Sequence, residues 1–141
     1  VNLVFALDEA LKMMRQEGLD NIFMRHNKHK LAMSNAVKAL NLKLFADEKY
    51  LSPSITAIKT EGMDAEEFRK TIKNNFDILL AGGQDHLKGK IFRVGHLGYV
   101  NDRDIITVVS AISNTLLNLG KITAQQAGEA LVVASKYLEE T

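Results

Sequence analysis

The apolar residues of this 141-residue chain change their spacing twice, from a helical period to a strand period and back. That alternation restricts the folds open to it, because helix faces repeat every 3.6 residues and strand faces every two. Val4, Leu7, Leu11 and Met14 follow the helical period, so residues 3–17 read as an amphipathic helix that Gly18 ends. Asp20 is placed to N-cap a second helix running to Leu40, with Ile22, His26, His29, Met33, Ala36 and Leu40 as its stripe. The pattern then shortens. Leu42–Phe45 and Ser54–Thr60 read as strands, the second beginning just past the only proline, Pro53. Asp64-Ala65-Glu66-Glu67 has the form of a capping box and opens a helix to Asn75. Phe76–Leu80 and Ile91–Gly95 read as two further strands, separated by a polar, glycine-rich loop over Ala81–Lys90. Asn101 or Asp102 caps a helix with Ile105, Val109, Ile112, Leu116 and Leu119 on one face, and Gly120 stops it. Thr123-Ala124-Gln125-Gln126 is a second capping box, for a last helix whose inner face is Ala127, Leu131, Ala134 and Leu138.

The resulting order is α-α-β-β-α-β-β-α-α. It predicts an α+β domain of two layers, a small antiparallel or mixed sheet of about four strands covered on one side by helices. The charge balance, 18 basic residues against 17 acidic, excludes a strongly basic nucleic-acid binder and a disordered chain. No apolar run approaches the 18 residues a membrane-spanning helix needs. The absence of cysteine excludes a disulfide framework, a cysteine-based zinc site and a thiol nucleophile, and it suits a reducing cytoplasm. The chain opens on Val1 rather than Met and enters a helical pattern at once, so we read it as the C-terminal part of something longer.

Four places carry candidate chemistry. The loop Gly82-Gly83-Gln84-Asp85-His86-Leu87-Lys88-Gly89-Lys90 fails as a phosphate-binding loop, because five residues separate Gly83 from Gly89 and no hydroxyl follows Lys90. It reads as a mobile hairpin loop. His26 and His29 share a helix face, yet residues 21–46 contain no Asp or Glu to complete a metal site. They read as partly buried histidines at an interface. The same stretch carries Arg25, Lys28, Lys30, Lys38 and Lys43 without interleaved aromatics and reads as a solvated or domain-facing surface. The fourth place is the strand Ile91-Phe92-Arg93-Val94-Gly95. Alternation sends Phe92 and Val94 toward the helices and Arg93 the other way, with Ile91. An arginine in an apolar strand is costly unless it finds an anion. Two readings stand open: a carboxylate clamp beside Gly95 and Gly98, or a structural ion pair to Asp102 or Asp104.

Several stretches resemble class V aminotransferases, the pyridoxal-phosphate enzymes that include serine–glyoxylate and alanine–glyoxylate aminotransferases. They are Phe5-Ala6-Leu7-Asp8-Glu9-Ala10-Leu11, Glu17-Gly18-Leu19-Asp20-Asn21 with Arg25-His26, and Ser52-Pro53-Ser54-Ile55-Thr56-Ala57. Ala81-Gly82-Gly83-Gln84 and Leu87-Lys88-Gly89-Lys90-Ile91-Phe92-Arg93-Val94-Gly95-His96-Leu97-Gly98 complete the match. The branch most similar is that of the small, tritium-exchange subunit of soluble hydrogenase. The resemblance implies a helical interdomain segment over residues 1–40 and a small C-terminal domain over 41–141. It also implies a large domain outside this chain that holds pyridoxal 5'-phosphate, and it makes Arg93 the residue that binds the substrate carboxylate. The chain has no Ser-x-Lys motif like the one that carries the family's Schiff-base lysine. The fragment alone is therefore expected to bind no cofactor or metal, to hold no catalytic residue and to catalyse nothing. The expected partners are the N-terminal large domain, a second copy in a homodimer and a small amino-acid or keto-acid substrate. In the dimer, Leu7, Leu11 and Met14 would lie at the contact, or else the first helix would fold back on the domain. The alternative is a non-catalytic assembly subunit of a redox complex with a vestigial aminotransferase fold.

Overall fold

The computed structural model describes residues 1–139. Five helices and four strands follow the predicted order: α1 (Asn2–Glu17), α2 (Leu19–Ala39), β1 (Lys43–Leu44), β2 (Ile55–Lys59), α3 (Ala65–Phe76), β3 (Ala81–Gly82), β4 (Ile91–Gly95), α4 (Asp102–Asn118) and α5 (Ala124–Glu139). The sheet is antiparallel, in the order β1-β2-β4-β3. Its inner face presents Ile58, Phe92 and Val94 to a core shared with Met33, Val37, Leu40, Phe68, Ile72, Val109, Ile112 and Leu116 from the helices. Phe92 stacks at a tilt on Phe68, with ring centroids 5.1 Å apart. The second half of α2 lies in this core, where Ala32, Met33, Ala36 and Val37 are fully buried.

Local chemistry sets most boundaries. Asn101 accepts from the backbone of Arg103 and Asp104, and Asp104 accepts in return from the Asn101 backbone, which makes a complete capping box for α4. Thr123 and Gln126 exchange the same pair of bonds at the start of α5. Asp64 caps α3 through the Glu66 and Glu67 amides. Two readings are corrected. Asp20 does not cap α2: the helix starts directly after Gly18, and Asp20 lies in its first turn without a capping bond, favourably placed for the helix dipole. Phe76–Leu80 is not a strand. α3 runs through Phe76, Asp77 ends it in the left-handed region (φ 55°), and Leu80 drops into the core before pairing begins at Ala81.

α1 buries no residue, and Leu7, Leu11 and Met14 are 58%, 43% and 42% exposed. Gly18, at φ 84°, turns the chain between α1 and α2, so the first helix does not fold back over the domain. No helix among the described residues is long and apolar enough to cross a membrane.

Candidate functional site

β4 places Arg93 in the middle of the outer face of the sheet. Its partners in register are Ala57 on β2 and Ala81 on β3, so only methyl groups flank it across the sheet. Two residues along, Gly95 has no side chain, and the space above it is open. The partly buried Arg93 side chain thus rises from a slot of small residues. Its Nε donates to the Gly82 carbonyl at 3.0 Å, which leaves the two terminal nitrogens as a parallel donor fork. The outer face closes toward Ile91, which is buried beneath the loop that follows β3. A shallow hollow of about 410 Å³ adjoins it, lined by Phe45, Lys59, Met63, Leu87, Lys90 and Ile91 among others.

The structural ion pair is not made. Asp102 accepts instead from Lys28 at 3.0 Å and from His29 at 2.9 Å, and Asp104 is used in its capping box. No salt bridge among the described residues involves Arg93. The bounds of the expected loop are corrected: Ala81 and Gly82 belong to β3, and a side chain at Gly83 would collide with the Leu87 carbonyl, so the start of the stretch packs closely, while Gln84, Asp85 and His86 are exposed.

Three histidines, two on α2 and one just past β4, fix the segment that leads from β4 into α4. His96 is fully buried and bridges Thr56 Oγ1 at 2.9 Å and the Pro53 carbonyl at 3.0 Å. A carbonyl only accepts, so Nδ1 carries the proton and Nε2 accepts from the threonine hydroxyl. Burial pushes the ring down to about pKa 4. His26 accepts from the Gly98 amide at 3.1 Å and donates to the Ile22 carbonyl at 2.7 Å. Arg25, held by Glu17, donates to the Gly98 and Val100 carbonyls, both at 2.9 Å. The turn after Arg93 is therefore pinned from three sides. His29 is fully buried, and burial holds it below its ordinary pKa despite the Asp102 carboxylate beside it. Its Nδ1 has no partner among the described residues, a cheaper vacancy for a lone pair than for an N–H. These histidines face inward onto residues 96–102, where the sequence suggested an interface. No group of three or more potential metal ligands occurs among the described residues.

Sequence reasoning singled out Arg93 but missed the groups around it. Gly82, Arg69 and Glu66 meet here through β3, a strand of two residues that carries no periodic signal. Ala57 and Ala81 become meaningful only once the register sets them beside Arg93.

No family model matches the chain. It is 52% identical over 138 residues to the soluble hydrogenase small subunit of Synechococcus sp., covering 98% of this chain and 36% of that protein. Serine–glyoxylate aminotransferase of Methylorubrum extorquens is 33% identical over 141 residues, covering 98% of this chain and 34% of that one. The crystal structure of ureidoglycine–glyoxylate aminotransferase from Bacillus subtilis superposes with a TM-score of 0.85 at 30% identity, over 94% of this chain and 35% of that chain. The chain thus spans about a third of the length of the curated relatives it matches. Sequence identity along nearly its whole length and one shared architecture lead to the same assignment: the chain belongs to the class V aminotransferases, a family that takes in the soluble hydrogenase small subunits.

Proposed function

We propose that this chain is the substrate-carboxylate arm of a longer pyridoxal-phosphate-dependent aminotransferase acting on a small amino acid and a 2-oxo acid. Residues 1–40 connect it to a large cofactor domain, and residues 41–141 form the small domain that carries Arg93. The single observation behind this reading is the setting of Arg93: it is mid-strand, flanked by alanines and a glycine, steered by one carbonyl, and in no ion pair among the described residues. A guanidinium so placed matches a carboxylate through two parallel hydrogen bonds. The electron sink for amino-group transfer would come from the cofactor, held elsewhere in the full-length protein. This chain's own work is to bind and orient the acid.

In the full-length protein, Arg93→Ala is expected to lower kcat/KM by the equivalent of about 2–5 kcal/mol, the scale for stripping one partner from a buried charge pair. Unchanged kcat/KM would remove Arg93 from the site. A second reading follows from the name of the 52% identical relative, a soluble hydrogenase subunit: a non-catalytic assembly subunit of a redox complex. This chain, with no cysteine, offers no thiolate to an iron–sulfur or nickel centre. Full-length protein that shows no bound-cofactor absorbance, even after pyridoxal phosphate is added, would favour that second reading.

A further inference from the structure

Arg69, on α3, lies beneath β3 with its guanidinium held through Nε and Nη1. Its Nε donates to the Leu80 carbonyl at 2.7 Å, and its Nη1 lies 2.8 Å from both carboxylate oxygens of Glu66. Both side chains press on Gly82: a Cβ at that position would lie 2.5 Å from Arg69 Nη1 and 2.5 Å from Glu66 Oε1. Gly82 is the residue whose carbonyl accepts the hydrogen bond from Arg93 Nε–H. β3 itself is only Ala81 and Gly82, an edge strand paired on one side, to β4. Two residues of one-sided pairing hold a carbonyl loosely, so its position depends on what packs against the other side. That packing is the Glu66–Arg69 pair.

We propose that Arg69, oriented by Glu66, is a positioning residue for Arg93: it locks β3 so that the Gly82 carbonyl aims the Arg93 guanidinium across the open face of the sheet. The inference deepens the carboxylate reading of Arg93 and rests on it for its functional meaning, although the mechanical coupling exists without it. The linkage runs from Glu66 to Arg69, to the Leu80–Gly82 backbone, to Arg93. The absence of a side chain at Gly82 is what lets the two layers approach.

The test reads the Arg93 guanidinium directly. In the chain labelled with ¹⁵N-arginine, hydrogen exchange of the Arg93 Nε–H is measured by NMR and assigned through Arg93→Lys. Arg69→Ala should speed that exchange at least tenfold while the β4 backbone amides keep their protection. Glu66→Ala, at a more exposed position, should speed it about threefold and decides the matter if Arg69→Ala does not fold. Arg69→Lys, whose compact ammonium lacks the rigid planar fork that spans Leu80 and Glu66, should restore thermal stability without restoring the slow exchange. In the full-length protein, Arg69→Ala should raise KM for the acid about tenfold with kcat within twofold. Exchange within twofold of the unsubstituted chain in both Arg69→Ala and Glu66→Ala would overturn the proposal. Loss of β4 protection in parallel would also overturn it, by making Arg69 a purely structural residue. If Arg93→Ala leaves kcat/KM unchanged, the carboxylate reading falls, but the exchange result still stands or falls by itself.

Discussion

Lowering the pH from 8 to 5 should destabilise this fold mainly through His96. The ring is fully buried between Thr56 and Pro53, and burial depresses its pKa from an unfolded value near 6.5 to about 4. Between those values the unfolded chain takes up a proton that the folded chain refuses. The stabilisation is therefore complete above pH 6.5 and is lost as pH falls toward 4. At 1.36 kcal/mol per unit, a gap of about 2.5 units caps the loss at roughly 3 kcal/mol, of which up to about 2 kcal/mol has gone by pH 5. At pH 5 most carboxylates are still ionised, so the window isolates the histidines. His29, also held low by burial, adds in the same direction. The assay is urea unfolding at pH 8, 6.5 and 5, for the chain and for His96→Asn, whose amide both donates and accepts. The variant should lose most of the pH dependence while costing some stability at pH 8. An identical slope in the variant would refute the assignment to His96, and a fold more stable at pH 5 than at pH 8 would refute the sign.

Phe92→Ala removes a fully buried ring stacked on Phe68 and should cost about 3–5 kcal/mol by denaturant unfolding. Asp102→Ala strands the buried His29 Nε2–H and should cost about 1–3 kcal/mol at pH 7 in the same assay. Asn101→Ala breaks the α4 capping box and should lower stability by about 1 kcal/mol. The exposed apolar face of α1 predicts self-association of the chain as a symmetric dimer, with Leu7→Gln plus Leu11→Gln shifting it to monomer. Light scattering that reports a monomer at every concentration would refute that last prediction.

The features legible in the residues alone are those encoded within a turn of helix or the pleat of a strand. The Thr123–Gln126 box starts α5, and the caps Asp64 and Asn101 start α3 and α4, where the residues say they should, although at α3 only the Asp64 half of the expected box is made. Gly18 and Gly120, both at positive φ, end the helices before them. Alternation along Ile91–Gly95 put Phe92 and Val94 in the core and Arg93 on the opposite face. Conflicting local signals were misread: Phe76–Leu80 has a strand's composition, but the left-handed Asp77 and the burial of Leu80 place the pairing one step later. Choices among distant partners follow instead from the packed fold. Asp102 was a candidate mate for Arg93 nine residues away but binds Lys28 and His29, more than seventy residues away on α2. Arg93 instead takes the carbonyl of Gly82. Local conformational preference acts over a few residues, whereas partner choice follows from which helix the core packs behind which strand. That is why the arginine was visible in the sequence, and the alanines, the carbonyl and the Arg69–Glu66 pair that set its surroundings were not.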